Sequence, residues 1–256
     1  MGRSTGNRRR VATFPGRLTC NEQRALAGFI MFACRARSEL AYELLQLLGQ
    51  KASLPTKVRS AISVEIFSLS ALQMEDVCQW LVALRDLPLT ESILDAVKNT
   101  SLNDNDRIRL VTWLNTASSR DILNSLAGTK AWAQLDLSSA DIAKGVITAG
   151  LSEIIQPKAG LRPAFPMHVW EAIKHGYIAV CGLDPRARMV SILTQGAGVR
   201  DTNGNIAIFQ VPVDVKYIRR TVNRMDALAK AFSWLMGIVY KSRYLKWPKG
   251  PPRHLS

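Results

Sequence analysis

Cysteine and histidine are scarce, with four Cys and three His in 256 residues. Cys20, Cys34, Cys78 and Cys181 lie far apart with no CxxC pair, and His168, His175 and His254 complete no metal-ligand spacing with them. The thiols read as those of a reducing compartment, and neither a metal nor a cofactor is expected. Long apolar runs are missing as well. "LAGFIMFAC" and "AFSWLMGIVY" are the longest, and neither approaches the ~20 residues of a membrane span. Arg8, Arg9 and Arg10 ahead of an apolar stretch mimic a signal peptide. However, Arg17, Glu22 and Arg24 interrupt it and "CRARSE" is a poor cleavage site, so the chain reads as uncleaved and intracellular. GxSxG, HExxH and Walker signatures do not occur, and Gly196 and Gly198 have no third glycine where a dinucleotide loop requires one. His168 and His175, seven residues apart, with Cys181 or Ser191 as nucleophile, make a weak enzyme reading, because His pairs on a short helix more often pack. No enzyme is expected.

Acid is nearly absent from both ends. Residues 1–20 hold Arg3, Arg8, Arg9, Arg10 and Arg17 and no acid. Residues 215–256 hold ten basic side chains and one acid, Asp226. The residues between balance at 19 basic against 19 acidic, so the ends carry the whole net charge of +14. A neutral body with two basic arms points to a polyanion partner. A surface that is merely solubilising mixes its signs and gives no reason to segregate them. Residues 1–20 also lack a periodic apolar pattern and are expected to order only on a partner. The closing "KSRYLKWPKGPPRHLS" holds Pro248, Pro251 and Pro252, which favour an extended tail over a helix. Within it Arg243 and Lys246 flank Tyr244, and Lys246 precedes Trp247, an arrangement that suits backbone contact with base stacking.

The body reads as helices with clear punctuation. "NEQRALAGFIMFACRARSELAYELLQLLGQ" opens at an Asn21 cap and places Leu26, Ile30, Ala33, Leu40, Leu44 and Leu47 at helical spacing. "TKVRSAISVEIFSLSAL" and "MEDVCQWLVALRDL" follow as two further helices, the second stopped by Pro88. Thr90 can cap "ESILDAVKN", "NDNDRIRLVTWLNTA" is next, and Ser118 or Ser119 can cap "RDILNSLAG", closing at Gly128. Ser138 with Asp141 makes a capping box for "SADIAKGVITAGLSEIIQ". "PKAGLRPAFP" reads as a loop or hinge and "MHVWEAIKH" as a short helix. Asn203-Gly204 between alternating apolar runs predicts one β-hairpin.

Asp214 can cap a final long helix. On a helical projection Lys216, Arg219, Arg220, Arg224, Lys230 and Lys241 share one face, and Ile218, Val222, Met225, Leu228, Phe232, Leu235, Met236 and Val239 share the opposite one. At ~1.5 Å per residue the basic stripe is expected to run nearly 40 Å. The apolar face carries few aromatic anchors, which suits a core better than a membrane interface.

"CQWLVALRDLPLTESILDAVKNTSLNDNDRIRLVTWLNTASSRDILNSLAG" resembles the N-lobe of phlebovirus- and tenuivirus-type nucleoproteins, through Gln79-Trp80, Asp106, Arg109, Thr116 and Arg120. "LDLSSADIAKGVITAG" looks like that family's next helix and "RPAFPMHV" like its Pro-aromatic-Pro loop, so the resemblance spans roughly residues 75–170. Coat proteins of flexible filamentous viruses belong to the same likeness. The resemblance implies a two-lobed helical protein that coats RNA, found in the virion and the host cytoplasm.

The expectation is therefore a mainly α protein with a two-lobed nucleoprotein-like body, one small β-hairpin and basic terminal arms. Its parts are an arm at 1–20, a helical N-lobe at 21–156, a C-lobe at 157–245 and a tail at 246–256. The expected partners are single-stranded RNA and further copies of the chain, with an acidic membrane surface as a third class. The expected RNA contacts are Arg8, Arg9, Arg10, Arg109, Arg120, Lys216, Arg219, Arg220, Arg224, Lys230, Lys241, Arg243, Lys246 and Trp247. The alternatives are a matrix-like protein bridging acidic membrane and nucleoprotein, and a cellular nucleic-acid-binding factor.

Overall fold

The first long helix contains an inserted residue. Cys20–Gly28 (α1) and Cys34–Gln50 (α2) are joined end to end by a π-helical turn, Phe29–Ala33, in which the Cys34 N–H reaches back to the Phe29 carbonyl. The wider turn takes up one extra residue and rotates everything after it. The inward set expected at Ala33, Leu40, Leu44 and Leu47 is displaced by one position. Cys34, Ala41, Leu45 and Leu48 are buried, with Ser38 on the same line, while Leu40 is 48% exposed. The buried positions alternate steps of four and three, the spacing of a helix laid along a neighbour.

In this computed structural model the structure describes residues 20–50, 54–85, 93–128, 137–155, 178–184, 189–194, 208–212 and 215–244. The described part is mainly α. The two helices expected between Thr56 and Leu87 are one, Thr56–Arg85 (α3). Ser60, Ser63 and Ser68 donate to carbonyls four residues back, at 2.9, 2.8 and 3.0 Å, so serines in the interior are satisfied without a break in the helix. Five consecutive residues, Trp80–Leu84, are buried, which only a helix surrounded on all sides allows.

Four helices pack around α3 and its neighbours: Ile93–Asn99 (α4), Asp104–Thr116 (α5), Ser119–Ala127 (α6) and Leu137–Ile155 (α7). Gln79 on α3 donates to the Val97 and Thr100 carbonyls at 3.1 and 3.3 Å and so closes the end of α4. Asn103 and Asp106 form a reciprocal capping box on α5, and Ser118 caps α6 by accepting the Asp121 N–H at 3.1 Å. Gly128 ends α6 at φ 88°, a backbone conformation that favours glycine. The capping box expected for α7 is not formed by Ser138 and Asp141. The helix starts earlier, at Leu137, and Asp141 instead accepts a hydrogen bond from Ser119 Oγ. Lys144 donates to the Ala117 carbonyl at 2.6 Å. The first turns of α7 therefore hold the corner between α5 and α6.

Ile178–Asp184 (β1), Met189–Thr194 (β2) and Ile208–Pro212 (β3) form an antiparallel sheet in that order, with a register shift between Val180 and Gly182. The pairing of β1 with β2 was not part of the sequence expectation. The Asn203-Gly204 turn lies outside the described residues, as do Asn21's side chain, Pro88, Thr90, Asp214 and "MHVWEAIKH".

The last helix, Val215–Tyr244 (α8), organises the core. All eight residues expected on its apolar face are buried. Ile218, Val222 and Met225 meet Ala41, Leu45, Leu48, Ile66 and Phe67, while Leu228, Phe232, Leu235, Met236 and Val239 join Leu81, Leu84, Leu123, Ile147 and Leu151. Each such side chain contributes about 1.5–3 kcal/mol of burial. Each of these two core clusters holds residues from both sides of the boundary expected at 156/157. Helix α8 runs antiparallel to α1–α2: its first turns lie in the cluster of Leu45 and Leu48, whereas Ser233 donates to the Ile30 carbonyl at 2.9 Å and Phe232 meets Phe29 edge-on at 6.4 Å. Phe29 also stacks on Trp80 at 4.0 Å.

Candidate nucleic-acid interface

Burying one face of α8 turns the opposite face outward. Lys216, Arg219, Arg220, Asn223, Arg224, Ala227 and Lys230 are exposed. Asn223 and Ala227, which the sequence reading did not single out, lie on the midline of this strip, with cations on both sides. The strip is shorter than expected. Lys241 is half-buried, because past Lys230 no residue through Ser242 is fully exposed. The exposed cations therefore span Lys216–Lys230, about 21 Å at 1.5 Å per residue.

Along α8 itself, the residues from Lys216 to Lys230 carry five cations and one acid, Asp226. Lys216, Arg220 and Arg224 follow one another at four-residue steps, and like charges so spaced destabilise a helix by about 0.2–0.5 kcal/mol per pair. Asp226 pairs with Lys230 at 2.9 Å, both side chains being half-exposed, so the attraction is worth only a few tenths of a kcal/mol. Asp226 sits at the end of the strip and offsets its last cation. Arg219 and Arg220 have no ion-pair partner among the described residues.

Cations with structural roles contrast with these. Arg107, 2% exposed, donates from one Nη to both Glu75 oxygens at 3.1 Å and ties α5 to α3. Arg37 makes an ion pair with Asp76 and ties α2 to α3. Burial holds the Asp76 carboxyl above the usual carboxylate range, with Arg37 pulling it back. The thiols of Cys34 and Cys78, near the same acids, are pushed up from 9.0 to about 12 by burial and next by Asp76 and Glu75 respectively. Sequence spacing gave no signal for either ion pair, since the partners are 32 and 39 residues apart.

The other expected RNA contacts are dispersed. Arg109 and Arg120 are exposed, on α5 and α6 respectively. Gln79 and Trp80, which carry the family resemblance, are taken up by the α4 cap and the core. Arg8, Arg9, Arg10, Lys246 and Trp247 lie outside the described residues, as does the Arg243 side chain. Among the described residues no group of three or more His, Cys, Asp or Glu is placed to hold a metal ion, and no helix is long and apolar enough to cross a membrane. Among the described residues Met31 and Phe32, at 67% and 70%, are the most exposed large apolar ones, both in the π turn. No family model, no curated protein and no solved structure matches this chain.

Proposed function

We propose that this protein coats single-stranded RNA without sequence preference and associates with further copies of itself, in the manner of a viral nucleoprotein or coat protein. The observation that carries the reading is the outward face of α8 from Lys216 to Lys230. Five cations stand there against one acid, on a helix whose other face is fully used by the core. Such a row suits contact with phosphates, which hold a strand without reading its sequence. Burial of the apolar face also counts against α8 acting as an interfacial membrane helix, which needs that face for lipid.

Reversal of Arg219, Arg220 and Arg224 to Glu tests it. Affinity for all single-stranded RNAs should fall together, and the slope of log affinity against log salt should drop by about 2, at ~0.7 per phosphate contact. Unchanged affinity in a variant with a native circular dichroism spectrum removes α8 from the interface. Strong preference for one sequence, or for duplex, would favour a cellular nucleic-acid-binding factor instead.

A further inference from the structure

Large apolar side chains that stand exposed one by one need no explanation, but on the outward side of the π turn and α2 they gather. Seven are exposed among the described residues, and four of these, Met31, Phe32, Leu40 and Tyr42, lie between residues 31 and 42. The π turn is the cause. It aims Cys34, Ala41, Leu45 and Leu48 at the core and leaves Phe32, Ala36 and Leu40 exposed on the far side, at four-residue steps along one strip. Turns of this kind are frequent at functional sites. The charges beside the strip divide about Ala36: Arg35 stands before it, and the exposed Glu39 and Glu43 after it. Arg35 is only loosely held within its own chain. Its Nε lies 3.6 Å from Glu39 Oε1, beyond hydrogen-bond length, and makes no hydrogen bond among the described residues. The next cation, Arg37, is engaged by Asp76 of α3.

This pattern is complementary to itself. Phe32 and Leu40 stand four residues either side of Ala36, Met31 and Tyr42 five and six, and Arg35 and Glu39 one and three. A second copy laid antiparallel across Ala36 sets Phe32 against Leu40, Met31 against Tyr42 and Arg35 against Glu39, each pair formed twice, as a two-fold contact requires. The small Ala36 side chain on the axis lets the helices approach to ~8 Å, the close end of helix packing. A parallel copy would instead set Arg35 against Arg35 and Glu39 against Glu39, which repel. Glu39 and Glu43 also count against an anionic lipid surface as the occupant. We propose that two copies of this chain pair antiparallel through the face from Met31 to Glu43. The pairing rests on the self-association in the RNA-coating reading and adds the surface that carries it.

The test follows the full chain, freed of RNA by nuclease, by sedimentation equilibrium from about 1 to 200 μM, because a contact of one helix face belongs with the weak interfaces. The expected result is a concentration-dependent dimer. Phe32→Asp with Leu40→Glu should raise its dissociation constant at least about ten-fold. The circular dichroism spectrum should stay native, since both side chains are exposed. Arg35→Glu and Glu39→Arg, made separately, should each weaken the dimer as well. An equimolar mixture of these two variants should restore it, because only unlike copies then place opposite charges across the antiparallel contact. A native protein that stays monomeric over this range, a dimer insensitive to the Phe32 and Leu40 changes, or a mixture no tighter than its components overturns the proposal. Monomers that bind phosphatidylcholine vesicles through Phe32 also overturn it, and give the face to lipid. RNA binding is read separately, with an oligouridylate of about 12 nucleotides, within the site size of single-strand binders. A dimer of the expected kind that binds no RNA withdraws the coating reading and leaves the interface. A monomer that binds RNA withdraws the interface and leaves the coating reading.

Discussion

Up to Lys230, helix α8 has a buried side and an exposed side. From Ala231 to Ser242 every residue is at least partly buried. Both stretches belong to one regular helix, and both show the same 3.6-residue apolar rhythm. The first half packs only its inner face, against α2, α3 and, through Leu228, α7, and leaves five cations exposed. The second half is enclosed by α3, α6, α7 and the π turn, so that even Ser233 and Lys241 are partly covered. The rhythm tells which side of a helix faces inward. It does not tell whether the other side faces water, because that depends on how many neighbours gather round.

The contrast can be broken most sharply at Phe232. Phe232→Ala should cost about 3–5 kcal/mol of stability in urea unfolding, with RNA affinity per folded molecule unchanged. A loss below about 1 kcal/mol would mean that the second half is far less enclosed than its burial indicates.

The next effect is alkaline. Cys34 and Cys78 share the core cluster of the second half, and their folded thiol values of about 12 exceed the ordinary 9.0. Between these values the native state holds protons that the unfolded chain has released, so stability falls as pH rises from about 9 towards 12. The Cys34→Ala, Cys78→Ala double variant should show a shallower alkaline loss than the native protein. Equal slopes would place the alkaline sensitivity in other groups.

On the exposed half, Ala227→Glu puts an acid on the midline of the strip. Stability should change by no more than about 0.5 kcal/mol, while RNA affinity falls by roughly five-fold, the ~1 kcal/mol of one charge contact in water. If stability suffered and binding did not, the strip would be a packing surface.

The smallest effect sharpens the boundary between the halves. Asp226→Asn should lower stability by about 0.3–0.5 kcal/mol through loss of the Lys230 pair. It should also steepen the salt dependence of RNA binding by up to ~0.7, because Lys230 becomes available to phosphate. An unchanged slope would end the interface at Arg224.

Several elements were legible from local sequence. Asn103, Ser118 and Gly128 mark real helix ends, because caps and left-handed terminators act within three or four residues. Asp141 failed as a cap because a better partner, Ser119, comes from another helix 22 residues away. The inward face of α2 was read one residue out of register. A π turn leaves no mark in an apolar period that looks continuous on both sides of it, and here the turn is held by contacts from Trp80, Phe232 and Ser233.

By itself the sequence determined the helical character of the body, the inward and outward sides of α8, and the concentration of positive charge at the ends. These follow from periodicity and composition, which are local or additive properties. Tertiary structure decided what long-range contacts alone can decide. It inserted the π turn that rotates α2 and paired Arg107 with Glu75 and Arg37 with Asp76. It buried the far half of α8 and so cut the basic strip at Lys230. It also ran α8 antiparallel to α2, with Phe232 and Ser233 set against the π turn. Helix direction in a bundle is set by which apolar faces find each other across 200 residues, and no local pattern encodes that choice.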